Sequence, residues 1–509
     1  MLITLAIIIV AAALCYLLGS VSRWVTLAGY VAISGAGSAL LSALLGEGIE
    51  GAMLGSDISW PAALTWLGEP VFRSDALGAG LGAWCLLAGG LCIVKMAGDR
   101  ETALRLSLSL IITGTLYALV HTSNMLFFAG EVALLVALLW ASGARDSADK
   151  SEGHRRQLLL LGFGALFLMG ASLLIGRATG GEYNLGELAL PALSVWPLVL
   201  LVGFALCWLG CAPFAGGSAR GSEGGGFSTL VQSLVLGVPV VALILRLEAL
   251  LTAGSLTGAM PLGWAPFMAA LAWTGAITAG AGAAASLLWT GTPRFTGVLA
   301  SYLMGLSLWA LGLDTPLGRV AAVAILLAWG AGRVVWGLGG PGKDGWGAKG
   351  LATLSLAAVP LSAGSVGVWL LGSALVEKGL AALAILPVGA AIVSACAVAL
   401  HLALDNGAHS LARPLYVRWA GVGASIALLV AGVLPGLWLP LATGIAGTAG
   451  GSAGVSVSWL GVQVSPGRGG ARWDRVRRCA DHSTGGCPRE YHATGVPSVV
   501  KPAVKGGHP

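Results

Sequence analysis

Long apolar stretches separated by short polar connections make up most of this chain. Fourteen of these stretches are long enough to cross the roughly 30 Å hydrocarbon core of a bilayer as α-helices. They cover residues 2–20, 25–46, 76–97, 103–121, 123–142, 157–176, 190–211, 228–249, 265–289, 296–313, 319–338, 351–373, 379–403 and 418–440. The pattern predicts an all-α, polytopic integral membrane protein of about fourteen transmembrane helices.

Composition supports this prediction and sets its limits. Of the 509 residues, 56% are apolar and only 10% are charged, against about 25% charged in a soluble protein. After Pro440 the chain becomes rich in Gly, Ser and Thr and then basic. We therefore expect a transmembrane domain over residues 1–440 and a disordered tail over 441–509. Residues 2–20 have no basic segment before them, which favours a transmembrane helix over a cleaved signal peptide.

The distribution of Lys and Arg predicts the orientation in the membrane. One side of the alternating helices collects fifteen basic residues: Arg23, Lys95, Arg100, Arg105, Arg145, Lys150, Arg155, Arg156, Arg220, Arg294, Arg333, Lys343, Lys349, Arg413 and Arg418. The other side has five before the tail: Arg73, Arg177, Arg246, Arg319 and Lys378. Positive loops stay cytoplasmic, so we expect an inner-membrane protein with its N-terminus outside. The net charge of +6 then reflects topology, and no nucleic-acid partner is expected.

Few ionisable residues fall inside the apolar stretches, and each is a candidate for the ion pathway. Glu131 lies well inside the fifth stretch, as a proton-exchanging carboxylate or as a structural ion-pair partner. His121 lies at the turn before that stretch, where a solvated or capping imidazole is favoured over a proton relay. Arg294 precedes the tenth stretch, where a helix-end anchor is slightly favoured. Arg246 and Glu248 end the eighth stretch and are also interpreted as an anchor.

No sequence pattern indicates a catalytic residue, a metal site or a bound cofactor. Cys207 and Cys211 share a helix face, but without a third ligand nearby they are interpreted as packing residues. The Cys and His residues of the tail lack the paired spacing of a zinc site. GLGGPGKD, residues 337–344, lacks the final Ser or Thr of a phosphate-binding loop.

Several segments, read in order, resemble the antiporter-like membrane subunits of respiratory complex I, Mrp cation/proton antiporters and membrane-bound hydrogenases. PVFRSDALGAGLGAW contains Asp75 at the place of a family Asp, and NMLFFAGEVALL places Glu131 at the family's charge-coupling Glu. LVGFALCWLGCAPF is similar to the family pattern G-F-A-x-K, and TPRFTGVLASYL and SLAAVPLSAGSVGVW are similar to two further family segments. The likeness covers about residues 65–440 and is nearest to the N-type and M-type subunits of complex I.

The chain departs from this family at its membrane lysines. Cys207, Thr296 and Val368 stand where the family has Lys, and none of the three can carry a positive charge. The resemblance implies a subunit of a proton- or cation-translocating NADH-quinone oxidoreductase-like, hydrogenase-like or Mrp-type complex, with ion transfer through its helices. The lost lysines leave open a degenerate, non-conducting scaffold.

The resemblance also implies the partners of the chain. These are sister antiporter-like subunits, a peripheral redox or antiporter module, the lipid bilayer, and a proton or monovalent cation. Redox chemistry and its cofactors would belong to partner subunits, so no enzyme activity is assigned to this chain by itself.

Overall fold

The computed structural model describes most of the helical part of the chain. The described residues are 2–18, 76–98, 102–143, 151–185, 195–211, 226–255, 263–290, 295–339, 346–404, 415–447, 457–459 and 462–464. All of them belong to one compact unit, Met1–Ala471.

Sixteen α-helices account for nearly all of these residues. They are α1 (Leu2–Leu18), α2 (Ala76–Gly98), α3 (Ala103–His121), α4 (Met125–Gly143), α5 (Ser151–Ala178), α6 (Val195–Leu209), α7 (Gly226–Leu230), α8 (Val238–Ser255), α9 (Trp264–Leu288), α10 (Phe295–Gly312), α11 (Pro316–Leu338), α12 (Trp346–Leu356), α13 (Ala363–Glu377), α14 (Ile385–Leu404), α15 (Leu415–Val433) and α16 (Leu439–Gly447). A π-helical segment, Val231–Val235, joins α7 to α8, and 3-10 turns cover Ala381–Ala384 and Pro435–Leu437.

Two strands follow the helices. They are β1 (Val457–Trp459) and β2 (Val462–Val464), which pair as an antiparallel hairpin.

Wherever the structure describes the predicted spans, all but one of them agree with a continuous helical stretch. Among the described residues, nine helical stretches are long and apolar enough to cross a membrane, and four more are shorter apolar helices. These thirteen coincide with thirteen of the predicted stretches. The prediction for residues 25–46 lies outside the described residues, so the count of fourteen stays a prediction. The prediction of an all-α, multi-pass membrane protein is confirmed.

Helices α8, α10 and α11 form the centre of the bundle. Every residue of α10 is buried, and so is nearly all of α11. The outer helices α4, α5, α9 and α14 instead expose large apolar side chains such as Trp140, Leu166, Ile277 and Ile392. Outward-facing apolar surface of this kind is stable against lipid tails or against the apolar surface of another membrane subunit.

Helices α9 and α10 pack with their backbones in close contact. Gly275 and Gly282 of α9 face α10, and Gly305 and Gly312 of α10 face α9. A Cβ added at Gly305 would lie 2.5 Å from the Ala279 nitrogen and 2.8 Å from the Gly275 carbonyl oxygen. Small residues at such a contact bring helix backbones together where no hydrophobic force drives association.

One predicted helix is broken in the structure. The stretch 351–373 contains α12 and α13, with an irregular segment over residues 357–362 between them. Ala358 and Leu361 in this segment have positive φ values of 54° and 67°. Pro360 has no N–H to donate and disfavours helical backbone at the residue before it, which explains the break.

The expected start of the tail was placed too early. Helix α16 runs from Leu439 to Gly447, and its Ala442 and Ile445 are fully buried. Residues 441–447 therefore belong to the helical bundle. The hairpin formed by β1 and β2 also has regular structure, so disorder stays a prediction only for the other residues after 447.

Candidate functional site

The turn between α3 and α4 positions the Glu131 carboxylate. Helix α3 ends where the Thr122 N–H donates to the carbonyls of Ala118 and Leu119. Helix α4 begins where the Asn124 Oδ1 accepts the N–H groups of Leu126 and Phe127, as an N-cap residue does. The tight turn directs Thr122 back onto α4, where its hydroxyl donates to Glu131 Oε2 at 2.9 Å.

Arg246 supplies positive charge to the same region. It lies on α8, is only 6% exposed, and its Nη2 donates to the Val120 carbonyl at 2.6 Å. Its charge also interacts with the Glu131 carboxylate. Val120 is two residues before Thr122, so α8 approaches Glu131 at the end of α3.

His121 lies next to Thr122 and is buried, with 2% of its surface exposed. Its Nδ1 is 2.8 Å from the Tyr117 carbonyl oxygen, and its ring lies 4.7 Å from the Tyr117 ring. The α2 backbone at Gly82 closes over it, since a Cβ there would lie 2.8 Å from the imidazole Cε1. The expectation of a solvated imidazole is therefore wrong, because α2 covers the turn, while the capping contact is present.

Glu248 extends this polar region to the other side of α8. It is 1% exposed and forms an ion pair with Arg319 of α11 at 3.7 Å. Two residues apart on a helix, Arg246 and Glu248 point in nearly opposite directions. The prediction that both anchor the helix at the membrane surface is wrong, because neighbouring helices bury them. We call His121, Thr122, Glu131, Arg246, Glu248 and Arg319 the Glu131 layer.

A second polar group lies where α2, α11 and the π-helical segment meet. Lys95 of α2 is 2% exposed and its Nζ donates to the Thr229 hydroxyl at 3.4 Å. One turn earlier on α2, Cys92 Sγ lies 3.9 Å from the Ser233 hydroxyl. Arg333 of α11 is also 2% exposed, and it lies between Gly330, which packs against the Ser233 carbonyl, and Gly337, which packs against Thr229. We call Cys92, Lys95, Thr229, Ser233 and Arg333 the Lys95 layer.

The π-helical segment shapes this meeting point. Its wide turn pairs the Leu236 N–H with the Val231 carbonyl, five residues earlier. The carbonyls of Gln232 and Val235 instead accept indole N–H groups from Trp329 and Trp208, at 2.9 Å and 2.7 Å. Single π-turns of this kind occur frequently at functional sites.

Burial of Lys95 and Arg333 corrects the charge count used for the topology. Both were counted among loop charges on the cytoplasmic side, but they lie inside α2 and α11. Removing them leaves the excess of positive charge on the same side. The orientation stays a prediction.

The two layers are about 20 Å apart along the helices. Gly82 covers His121, and Lys95 lies thirteen residues farther along α2. At 1.5 Å per residue this spacing is about 20 Å. On α11, Arg319 and Arg333 are fourteen residues apart, which gives the same distance of about 20 Å. The layers therefore occupy opposite halves of the bundle.

The remaining predicted site residues do not join either layer. Arg294 lies outside the described residues. Cys207, Thr296 and Val368, which the sequence resemblance aligns with the family lysines, are 3%, 5% and 5% exposed on α6, α10 and α13. They are neutral packing positions on three different helices. Within the described ranges, no three His, Cys, Asp or Glu side chains converge to hold a metal ion.

Comparison with known proteins agrees with this architecture. No family model matches the chain. A curated relative, NADH-quinone oxidoreductase subunit N of Syntrophotalea carbinolica, is 26% identical over 439 residues, which cover 74% of this chain and 88% of the relative.

Solved structures with a similar fold come from three kinds of membrane complex. The Mrp complex from Dietzia sp. has a chain with a TM-score of 0.71 at 17% identity, covering 88% of this chain. A chain of respiratory complex I from Thermus thermophilus gives 0.66 at 22% identity, covering 86% of this chain and 99% of that one. A chain of an archaeal membrane-bound sulfane sulfur reductase has a TM-score of 0.73 at 15% identity, and the match covers 88% of this chain and 97% of that one.

This chain has the antiporter-like subunit fold. The resemblance expected from the sequence is confirmed. The chain spans about half, 52%, of the matched Mrp chain, but nearly all of the matched complex I and sulfane sulfur reductase chains.

Sequence reasoning missed the burial of four charged residues: Arg246, Glu248, Lys95 and Arg333. Each lies a few residues from the end of its predicted apolar stretch, where a surface position is the usual interpretation. For Arg333 a signal was present, since Gly330 and Gly337 flank it by about one turn on the same helix. Small residues on both sides of a charge indicate that another helix packs directly over it.

Proposed function

We propose that this chain is a membrane subunit of a multi-subunit, proton- or cation-translocating complex, and that Glu131 exchanges protons in its ion pathway. The observation that carries the proposal is the Glu131 carboxylate inside a transmembrane helix, bonded to Thr122 at 2.9 Å and within the field of Arg246. An ionisable group at the centre of a transmembrane helix costs about 2.5–3.5 kcal/mol on insertion scales. A carboxylate inside such a helix therefore indicates a functional role.

The surroundings of Glu131 fit a group that changes its protonation state. The Thr122 hydroxyl can donate to the ionised carboxylate and accept from the protonated acid. Arg246 stabilises the ionised form, while burial favours the neutral form. Neither protonation state is therefore excluded by the structure of the site.

The Glu131 layer continues across the bundle. Arg246 lies on one side of α8 and donates to Val120, two residues before Thr122, whereas Glu248 faces Arg319 from the other side. A change of charge at Glu131 acts on Arg246 and, through the same helix, on the Glu248–Arg319 pair. Charges aligned in this way support ion movement coupled between neighbouring regions of the membrane.

The assembly and the orientation are further parts of the proposal. The apolar outer faces of α4, α5, α9 and α14 support contacts with sister subunits and lipid. A peripheral redox or antiporter module would drive the transport, since no redox centre is assigned to this chain. The charge distribution supports an inner-membrane location with the N-terminus outside. In this proposed orientation the Lys95 layer lies toward the cytoplasm.

Substitution of Glu131 by Gln tests the pathway. Gln keeps the size and hydrogen bonding of Glu but does not titrate, so the complex should assemble normally and lose proton translocation. Glu377→Gln is the matched control, since Glu377 is exposed at the end of α13. Native gel electrophoresis of mild-detergent extracts reports assembly, and a pH-sensitive dye in sealed vesicles reports proton movement.

Normal translocation by an assembled Glu131→Gln complex would remove Glu131 from the pathway. That result would favour the non-conducting scaffold. A chain that extracts as a stable monomer with transport activity of its own would contradict the assignment to a complex.

A further inference from the structure

The Lys95 layer brings two basic side chains into the interior of an apolar bundle. Helix α11 packs against it on both sides of Arg333. A Cβ at Gly330 would lie 3.0 Å from the Ser233 carbonyl oxygen, and one at Gly337 would lie 2.8 Å from the Thr229 hydroxyl and 3.4 Å from Lys95 Cδ. Arg333 is thus placed between Ser233 and Thr229 on the face of α11 that meets α2.

Two of the guanidinium nitrogens of Arg333 have no hydrogen-bond acceptor among the described residues. Its Nε and Nη1 are these two atoms, and both are buried. The Trp329 ring lies 5.6 Å from its guanidinium carbon and contributes a cation–π contact. Gln232 Oε1 and Trp84 Nε1 are likewise buried without partners among those residues, and Trp84 packs against Gly330. The layer therefore has polar groups suited to bind water.

We propose that Lys95 is a second proton-exchanging group of the subunit, and that the Arg333 guanidinium is its fixed positive neighbour. The proposal rests on the proposed ion-translocating function. It places a proton-exchanging base in the half of the bundle opposite Glu131, about 20 Å away along α2.

Lys95 and Arg333 differ in whether they can release a proton. Arg keeps its charge in proteins, whereas Lys can lose its proton when buried. The neutral Lys95 amine accepts a proton from hydronium: one O–H bond breaks, one N–H bond forms and water is released. In the return step one N–H bond of the ammonium breaks, one O–H bond forms on a water molecule, and hydronium is regenerated. Repulsion between the Lys95 ammonium and Arg333 favours the return step, while the Thr229 hydroxyl holds Nζ in place in either state.

Charge-conserving substitution distinguishes proton exchange from a structural role. Lys95→Arg keeps the positive charge but cannot release a proton, so the complex should assemble and lose proton translocation. If the charge only stabilises the bundle, Lys95→Arg should translocate protons like the wild type. Lys378→Arg is the matched control, because Lys378 is exposed at the end of α13 and should behave like the wild type.

A second pair of variants keeps the proposal testable if Arg at position 95 prevents assembly. Thr229→Val has the shape of Thr but no hydroxyl, and Thr229→Ser keeps the hydroxyl. The proton translocation rate should fall at least several-fold in Thr229→Val and stay near wild type in Thr229→Ser. Equal rates in the two variants would overturn the role of the Lys95 layer.

Glu131→Gln, measured in the same vesicles, separates this inference from the proposed function. Loss of translocation in Glu131→Gln with wild-type rates in Lys95→Arg overturns the inference alone. Wild-type translocation in Glu131→Gln together with loss of translocation in Lys95→Arg removes Glu131 from the ion pathway and supports proton exchange at Lys95. A wild-type complex that moves no protons overturns both.

Discussion

Replacement of Gly305 by Ala tests whether backbone contact between α9 and α10 holds the centre of the bundle together. The added Cβ would lie 2.5 Å from the Ala279 nitrogen, 2.8 Å from the Gly275 carbonyl oxygen and 3.0 Å from the Ala279 Cα. All three atoms belong to the backbone, so no side-chain rotation relieves the overlap. Ordinary van der Waals contact begins near 3.4 Å, and a close-packed interior has no room to absorb the difference. The helices must therefore separate by about 1 Å.

The cost follows from overpacking of a dense interior. Forcing an extra carbon into a packed site costs about 1–3 kcal/mol, which is a fall of about 5- to 150-fold in the ratio of folded to unfolded protein. The preference of helices for Ala over Gly offsets up to about 1 kcal/mol of this cost. Gly280→Ala, on the exposed face of the same helix pair, measures that offset by itself, because an added Cβ there meets no atom within 4 Å.

The assay compares the two variants in mild-detergent extracts. Heat denaturation in mild detergent, followed by native gel electrophoresis, should give a lower midpoint for Gly305→Ala than for the wild type. Gly280→Ala should match or exceed the wild type. Equal midpoints for Gly305→Ala and Gly280→Ala would refute the argument that these helices pack backbone to backbone.

Three further predictions concern other parts of the structure. Arg319→Gln should destabilise the subunit by about 3–5 kcal/mol, because it leaves the Glu248 charge buried without its ion-pair partner; the double variant with Glu248→Gln should recover most of the loss in the same denaturation assay. Trp329→Phe should cost about 1–3 kcal/mol, since it removes the indole donor to the Gln232 carbonyl and leaves a buried acceptor unpaired; wild-type stability would refute this role. A single Cys at position 150 should react with a membrane-impermeant thiol reagent only from the cytoplasmic face; labelling only from outside would refute the proposed orientation.

The hydropathy pattern by itself determined where the helices lie. The free energy of burying a helix in lipid depends on the apolar residues along that segment, so it can be read without knowledge of any neighbour. The break at Pro360 followed from local backbone chemistry as well, although the long apolar stretch hid it. The antiporter-like resemblance rested on segments in a fixed order, and similarity to solved structures confirmed it at the level of the fold.

The sequence also indicated Glu131, since a carboxylate several residues from either end of an apolar stretch has no simple route to water. It did not reveal the hydrogen bond from Thr122 or the approach of Arg246, which donates to a carbonyl 126 residues away in the chain. His121 was expected to be a solvated or capping imidazole because it lies at a short turn. Only the packing of Gly82 against it shows that α2 covers that turn.

Only the tertiary structure decided whether the charged side chains near helix ends are buried or exposed. Lys95, Arg333 and Glu248 lie close enough to a helix end to reach solvent if their helices stand at the edge of a bundle. Glu248 is buried where α8 meets α11, and Lys95 and Arg333 are buried where α2 and α11 meet the π-helical segment. Lys95 contacts Thr229 from 134 residues away. Burial of a charge depends on which other helices surround it, and this information is spread over the whole chain rather than held in any one segment.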